Sequence, residues 1–476
     1  LKMVDVEEKD TVVIGAGPGG YVAAIRAAEL GQKVTVIEKS DSLGGVCLNV
    51  GCVPSKALIQ AGHRLRHAEH SELYGITTGN ISLDFTKLQA WKDSSVIQRM
   101  TGGVKMLLKK HKVEVIYGEA FLDNNNQLRV MDPGPRQFMD NGGGHTIKFN
   151  NLILATGSRP IEIKGFKFGG RIIDSTGLLN IKELPKDLVI VGGGYIGTEL
   201  AGAFADLGSN VTILEGTSQI IPNFERSMVS IVEKHLKEKG IKIVTNAMAK
   251  NAKDNGDNVE VTYEVDGKAE VIKTDYVMVS VGRKPNTDNF GLEMTDVKLT
   301  DRGLVETDEQ GRTSVDNIFA VGDITSGPAL AHKAFFQAKT AAGAISGKKT
   351  ANDYIGVPSV CFNDPEMASV GLTEAEAKEK KLDIKVGKFP FAGNARAVSV
   401  DSTDGFVKLI SDKKTGTILG GQVVGPNASD LISELSVAVN CQLNEEDLAL
   451  TIHPHPTLGE PIQEAADILI GYPTNI

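Results

Sequence analysis

Short apolar runs that stop abruptly at glycine or another small residue recur along the chain: TVVI at 11–14, LILA at 152–155, DLVIV from 187 and IFAV from 318. Runs this short, with no polar alternation, predict strands buried on both faces. After the first run, YVAAIRAAEL at 21–30 is alanine-rich and predicts a helix; KVTVI at 33–37 then predicts a second strand, closed by Glu38. The stretch 187–215 repeats that order and closes on Glu215. Further helices are predicted over 55–73, 84–111 and 329–346, and further strands over 259–281. Segment 113–150 alternates in polarity and is broken by NNN, GPR and NGGG, which predicts a small antiparallel excursion. From about 350 the texture changes: VPSVCF, VGKFPF, GFVKLI and TILGGQVV predict strands, and 428–443 predicts a helix with one apolar face.

Strand, turn, helix and strand, stated twice, predict an α/β chain with two Rossmann-like dinucleotide-binding domains and a C-terminal α+β domain. The expected division is 1–150 and 281–350 for a discontinuous first domain, 151–280 for the second, and 351–476 for the third. A length of 476 residues suits three such domains. Hydrophobic content of 41% and charged content of 23% are ordinary for a globular chain, and a net charge of −9 argues against nucleic acid as a partner. No apolar run reaches membrane-spanning length, and the acidic start LKMVDVEEKD lacks the apolar core of a signal sequence. Four cysteines are too few for a structural framework in so long a chain, so the expected location is the reducing cytoplasm.

Chemistry enters with the glycines. Gly15, Gly17 and Gly20 have the G-x-G-x-x-G spacing, between a predicted strand and a predicted helix, with Glu38 eighteen residues later. That context lets backbone amides approach a pyrophosphate at a helix start, with the acid on ribose hydroxyls. Gly192, Gly194, Gly197 and Glu215 repeat the set, so two dinucleotides are expected. Glu215 is followed by Gly216, Thr217 and Ser218, with no cation to meet a 2′-phosphate, so the second nucleotide is expected to be NAD. Gly157, closing LILATG, and Gly282, in VSVGRKPN, are further candidates for close approach to the first and second nucleotide, respectively. Asp323, after IFAVG, could hold a chain of sugar-like hydroxyls or could be a plain turn aspartate.

Between the first fingerprint and the next helix lies GGVCLNVGCVPSK, residues 44–56, with Cys47 and Cys52. On a regular helix five steps put two side chains about 140° apart, so pairing would require an irregular backbone, for which Gly51 is suited. Pro54 fits the first turn of a helix, which places Cys52 at a helix start, where a thiolate is favoured. A pair that closes a small disulfide and also stabilises one thiolate would be a redox switch; two free core cysteines is the other reading. A dinucleotide touching such a dithiol should be a flavin, hence FAD, because flavins take two electrons from sulfur and pass them on as hydride. Cys361 and Cys441 are read as buried structural thiols. His63, His67 and His70 share a helical face but lack a completing ligand, so no metal is expected. In HPHPTLGE, Pro456 biases His455 towards extended backbone, and Glu460 could turn back to orient it as a general base; an exposed proline-rich turn is the alternative.

These motifs, in this order and over nearly the whole chain from GAGPGG to HPHPTLGE, resemble the pyridine nucleotide–disulfide oxidoreductases. The likeness is greatest to the members that reoxidise the lipoyl groups of 2-oxoacid dehydrogenase acyltransferases and of the glycine-cleavage carrier protein. The resemblance implies bound FAD, NAD as acceptor, a homodimer formed by the last domain, and a Cys47–Cys52 redox disulfide. It implies that Cys47 exchanges with the substrate dithiol and Cys52 faces the flavin as thiolate. Lys56 would lie beside the reactive flavin nitrogen, paired with Glu199, and His455 with Glu460 would act on the partner subunit's disulfide. Gln337 and Ala338 stand where the family pattern has an acid and a glycine, and Gly459 where serine is commoner. Glutathione- or mercuric-type reductases are rivals that usually run on NADPH, which Glu215 disfavours; a flavoprotein assembly subunit without turnover is a further alternative.

Overall fold

The structure, a computed structural model, describes residues 6–131 and 144–476. The GPR break and most of the NGGG break expected in the antiparallel excursion lie outside the described residues. The chain forms two compact units. The first runs to Ala57 and includes Thr86–Ile161 and Gly282–Asp353; the second includes Leu58–Phe85, Glu162–Val281 and Tyr354–Ile476.

The first unit is built on a sheet ordered Glu114–Tyr117, Val34–Glu38, Val6–Ile14, Gly144–Leu154, Gln127–Met131, Glu119–Asn124. The first four strands are parallel and the last two pair antiparallel. Strand Gly144–Leu154 is long because it serves two neighbours on one edge. Its first half pairs antiparallel with Gln127–Met131, and its last three residues pair parallel with Ile318–Ala320. It therefore runs through the boundary expected at 150, since Leu152, Ile153 and Leu154 are fully buried in the first unit's core. One sheet face is covered by the helices Pro18–Glu29 and Ala331–Ile345. Ala23, Ala24 and Ala27 on one and Ala338, Ala341 and Ala342 on the other are buried; small side chains let the two helices pack closely. Ala338, a departure from the family pattern, is simply part of this seam.

The second unit holds a parallel sheet ordered Lys242–Val244, Asn210–Leu214, Asp187–Val191, Tyr276–Val279, Ile172–Ile173. An antiparallel trio, Ala247–Asp254, Val259–Val265 and Lys268–Thr274, adjoins it. Its C-terminal part is a five-stranded antiparallel sheet with Ala428–Asn440 and Glu460–Ile470 packed on its core. The sequence pattern anticipates four of those five strands and misses Glu366–Gly371, whose EMASVG is too small and mixed to stand out.

The two glycine turns are built alike. Gly15 and Gly192 take φ of +100° and +106°, the left-handed region that favours glycine. A Cβ on Gly20 would lie 1.8 Å from the Gly15 carbonyl oxygen, and one on Gly197 would lie 2.1 Å from that of Gly192. The third glycine of each motif thus exists for close packing of helix on turn.

Candidate active site

Each glycine turn is locked by the acid that ends the next strand. Glu38 accepts the Ala16 N–H at 2.7 Å on one oxygen and the Ser40 N–H at 2.8 Å on the other. Glu215 does the same with Gly193 at 2.7 Å and Thr217 at 2.8 Å. Both acids are buried. Their role is therefore wider than the sequence suggests, since they also hold the turn that presents the backbone amides. A carboxylate keeps further lone pairs beyond these bonds.

The middle glycines face space. A Cβ on Gly194 would meet nothing within 4 Å, and one on Gly17 only the Gly45 Cα, at 3.7 Å. These are gaps at helix starts, bounded by backbone, which fit two dinucleotide pyrophosphates. Gly45 begins the helix Gly45–Val50 that carries Cys47, and the Gly44 N–H donates to the Ala16 carbonyl at 2.8 Å. The cysteine stretch is thus seated directly on the first glycine turn.

Between the cysteines the backbone breaks as expected. Helix Gly45–Val50 ends at Gly51, with φ −143° and ψ −116°, and a new helix, Cys52–Glu69, starts at Cys52. Gly51 is required sterically: a Cβ there would lie 2.9 Å from the Val46 carbonyl oxygen. Both cysteines are thiols, Cys47 half-buried and Cys52 exposed. A hydrogen bond with Cys52, aided by burial, raises the Cys47 pKa, while the nearby Lys56 ammonium opposes the rise. Asp323 also acts on Cys47 electrostatically. Cys47, Cys52, Lys56 and Asp323 therefore form one neighbourhood in the first unit. Lys56 stands one turn beyond Cys52, its Nζ 3.3 Å from the Ser55 hydroxyl.

Asp323 sits in the one-turn helix Gly322–Ile324 that follows the buried strand Ile318–Ala320. Its Oδ2 accepts the Ser158 hydroxyl at 2.6 Å, and the Ser158 oxygen in turn accepts Arg283 Nε at 2.8 Å. Ser158 and Arg283 escape sequence reasoning because nothing in LATGS or GRKPN marks them as partners. Gly157 takes φ +69° and its carbonyl accepts the Asn286 N–H at 2.8 Å. Gly282, assigned from sequence to the second nucleotide, has φ +130°; its carbonyl accepts the Ile161 N–H at 3.1 Å. It falls on the first unit's side of the chain crossing.

In the second unit, Glu199 lies on Tyr195–Leu207, is buried, and accepts the Phe362 N–H at 2.9 Å. Cys361 beside it is buried and accepts Asn363 Nδ2 at 3.0 Å. Cys441 is exposed, contrary to its expected burial, because it lies just past the end of helix Ala428–Asn440. His63 and His67 stack at 6.3 Å, and burial lowers the His63 pKa.

His455 Nδ1 lies 2.8 Å from Glu460 Oε1, and Glu460 Oε2 accepts the Thr457 N–H at 2.9 Å. Glu460 is the first residue of helix Glu460–Ile470, so the helix start fixes the carboxylate and the carboxylate fixes the imidazole. Burial opposes its ionisation, but the Thr457 N–H and the His455 ring outweigh that, and the carboxyl lies below its ordinary range. The His455 side chain is 71% exposed. The His455–Pro456 peptide is cis. Gly459 has ordinary helical angles, and a Cβ there meets only contacts of 3.7 Å and beyond. Serine would therefore fit at this position without strain. His453, in the same motif, pairs with Glu434 at 2.7 Å, which raises its pKa.

Two glycine-turn nucleotide sites, a vicinal thiol pair seated on the first, and a separate histidine–carboxylate pair define a flavin-linked thiol oxidoreductase. The chain belongs to the pyridine nucleotide-disulphide oxidoreductases: residues 9–338 match that family's model, and residues 357–466 match its dimerisation domain. It is 58% identical to the dihydrolipoyl dehydrogenase of Staphylococcus aureus, over 98% of this chain and 97% of that one. It is 56% identical to the dihydrolipoyl dehydrogenase of Bacillus subtilis, over 98% of each. Among solved structures, LpdA from Mycobacterium tuberculosis superposes with a TM-score of 0.88 at 27% identity, covering 97% of this chain and 99% of that one. The family uses FAD and a pyridine nucleotide. Among the described residues no helix is long and apolar enough to cross a membrane.

Proposed function

We propose that the chain is an NAD-dependent dihydrolipoyl dehydrogenase, a cytoplasmic homodimer that reoxidises lipoyl groups on 2-oxoacid dehydrogenase acyltransferases or on the glycine-cleavage carrier protein. The observation that carries this reading is the Cys47–Cys52 thiol pair, broken at Gly51 and seated on the first glycine turn. High identity to proteins named for that activity supports the substrate. Only four cysteines in so long a chain fit a reducing compartment.

In the oxidised protein Cys47 and Cys52 form a disulfide. A dihydrolipoyl thiol gives its proton to His455 of the partner subunit and attacks Cys47 Sγ; the Cys47–Cys52 bond breaks and Cys52 leaves as thiolate. The second lipoyl sulfur, deprotonated in turn, attacks the first, closing the lipoyl disulfide and releasing Cys47. Two electrons have then moved from the substrate to the protein dithiol. The start of the helix at Cys52 favours the thiolate form there, and the Lys56 ammonium favours that of Cys47. FAD would be held by Gly15, Gly17, Gly20, Glu38, Gly157 and Asp323, and when bound would supply two-electron chemistry between thiolate and nicotinamide. NAD would be held by Gly192, Gly194, Gly197 and Glu215, with Gly282 where the chain leaves that domain. Glu199 positions the helix that carries the second fingerprint against Phe362.

Differential alkylation tests the redox pair. After excess NAD⁺, Cys47 and Cys52 should resist iodoacetamide until reduced. After anaerobic dihydrolipoamide, both should be labelled. Equal labelling of the pair in both states would overturn the reading.

A further inference from the structure

The mechanism leaves one buried charge unused. Lys333, in the first turn of helix Ala331–Ile345, has a side chain only 1% exposed. Its Nζ donates to the Ser326 carbonyl at 2.8 Å and lies 3.4 Å from both the carbonyl and the hydroxyl oxygen of Thr325. One helical turn on, and so on the same face, is Gln337, also buried. Its Oε1 accepts the Gly322 N–H at 2.8 Å and the Thr325 hydroxyl at 3.1 Å. The two side chains grip opposite ends of the turn from Gly322 to Ser326, and they meet at the Thr325 hydroxyl. Asp323 lies inside that turn.

An amide and a carboxylate at 337 can both accept these two bonds, but the carboxylate adds a negative charge and gives up the amide's N–H donors. With glutamine there, Asp323 is the acid that acts on Lys333; burial outweighs it and lowers the Lys333 pKa to about 8. A charge kept in so dry a place reaches further, because little solvent screens it.

We propose that Lys333 and Gln337 are positioning residues of the flavin site: they clamp the turn that carries Asp323, and the buried Lys333 ammonium raises the reduction potential of the bound FAD. Reduced flavin carries an extra negative charge, which a buried cation stabilises. The inference rests on the first fingerprint holding FAD.

The test is spectroelectrochemistry of the flavin in purified holoenzyme at pH 7, comparing the native protein with Gln337→Glu and Lys333→Met. Gln337→Glu keeps both acceptor bonds and adds one negative charge. Its flavin potential should fall by at least a tenfold change in the two-electron equilibrium, about 30 mV, with FAD retained. Lys333→Met should shift the potential in the same direction and also release FAD more readily. A native-like potential in Gln337→Glu overturns the proposal whatever Lys333→Met does. A native protein that folds but takes up no FAD overturns the flavin assignment itself, a distinct result.

Discussion

At the scale of single residues, the acids of the two fingerprints show how one side chain serves two ends. Glu215 was read from sequence as a ribose ligand and a barrier to 2′-phosphate; the structure adds that it holds the Gly193 and Thr217 amides. Glu215→Arg should therefore narrow the NAD over NADP ratio of kcat/KM by more than tenfold. It should also cost stability, about 1.5–3 kcal/mol for each charged hydrogen bond lost; urea unfolding and steady-state kinetics on one preparation would show both. His455→Ala should lower dihydrolipoamide turnover by about 10²–10⁴-fold, the usual range for a lost general base. Glu460 gives a pH signature. Its carboxyl is held below its ordinary 4.5 in the folded chain, so it ionises more readily folded than unfolded. Its contribution is complete above pH 4.5 and disappears as pH falls through the lowered value. The stability gap between native protein and Glu460→Gln should be present at pH 5 and close on further acidification. A gap that widened in acid would refute the sign.

Among elements, the glycine turns separate steric from functional glycines. Gly197→Ala places a Cβ 2.1 Å from the Gly192 carbonyl oxygen and should unfold or severely destabilise the second unit. Gly194→Ala meets nothing within 4 Å; it should keep its melting temperature while raising KM for NAD at least tenfold. Equal melting losses in both would show that Gly194 is structural. The contrast also marks what was legible in sequence. The spacing of Gly15, Gly17 and Gly20 announces a turn, a helix and a ligand, because each position has its own steric reason to be glycine. The break at Gly51 is legible for the same reason. Partners brought in by tertiary contact were not: Ser158 on Asp323, or Gln337 on Gly322, lie more than ten residues from the groups they hold, in stretches with no pattern of their own. Likewise Gly144–Leu154 crosses an expected domain boundary because local composition shows where a strand is apolar but not how many neighbours it pairs with.

For the whole molecule, His455 and the thiol pair belong to different units of the chain, and the C-terminal part matches a dimerisation domain. Closed twofold dimers are the commonest assembly, and the proposed site combines His455 of one subunit with the partner subunit's Cys47. A dimer bearing both His455→Ala and Cys47→Ser on one chain, and neither on the other, should then be nearly inactive with dihydrolipoamide, since each site lacks one group. Substantial turnover by that dimer, shown not to exchange subunits, would rule out a shared site. The most direct measurement of the central claim is simpler: NADH formation followed at its own absorbance, with the purified flavoprotein, free dihydrolipoamide and NAD⁺. The account predicts rapid reduction of NAD⁺, far slower reduction of NADP⁺, and negligible oxidation of NADPH by glutathione disulfide. A protein that holds FAD yet transfers no electrons from dihydrolipoamide to NAD⁺, or prefers NADPH and glutathione disulfide, would contradict it.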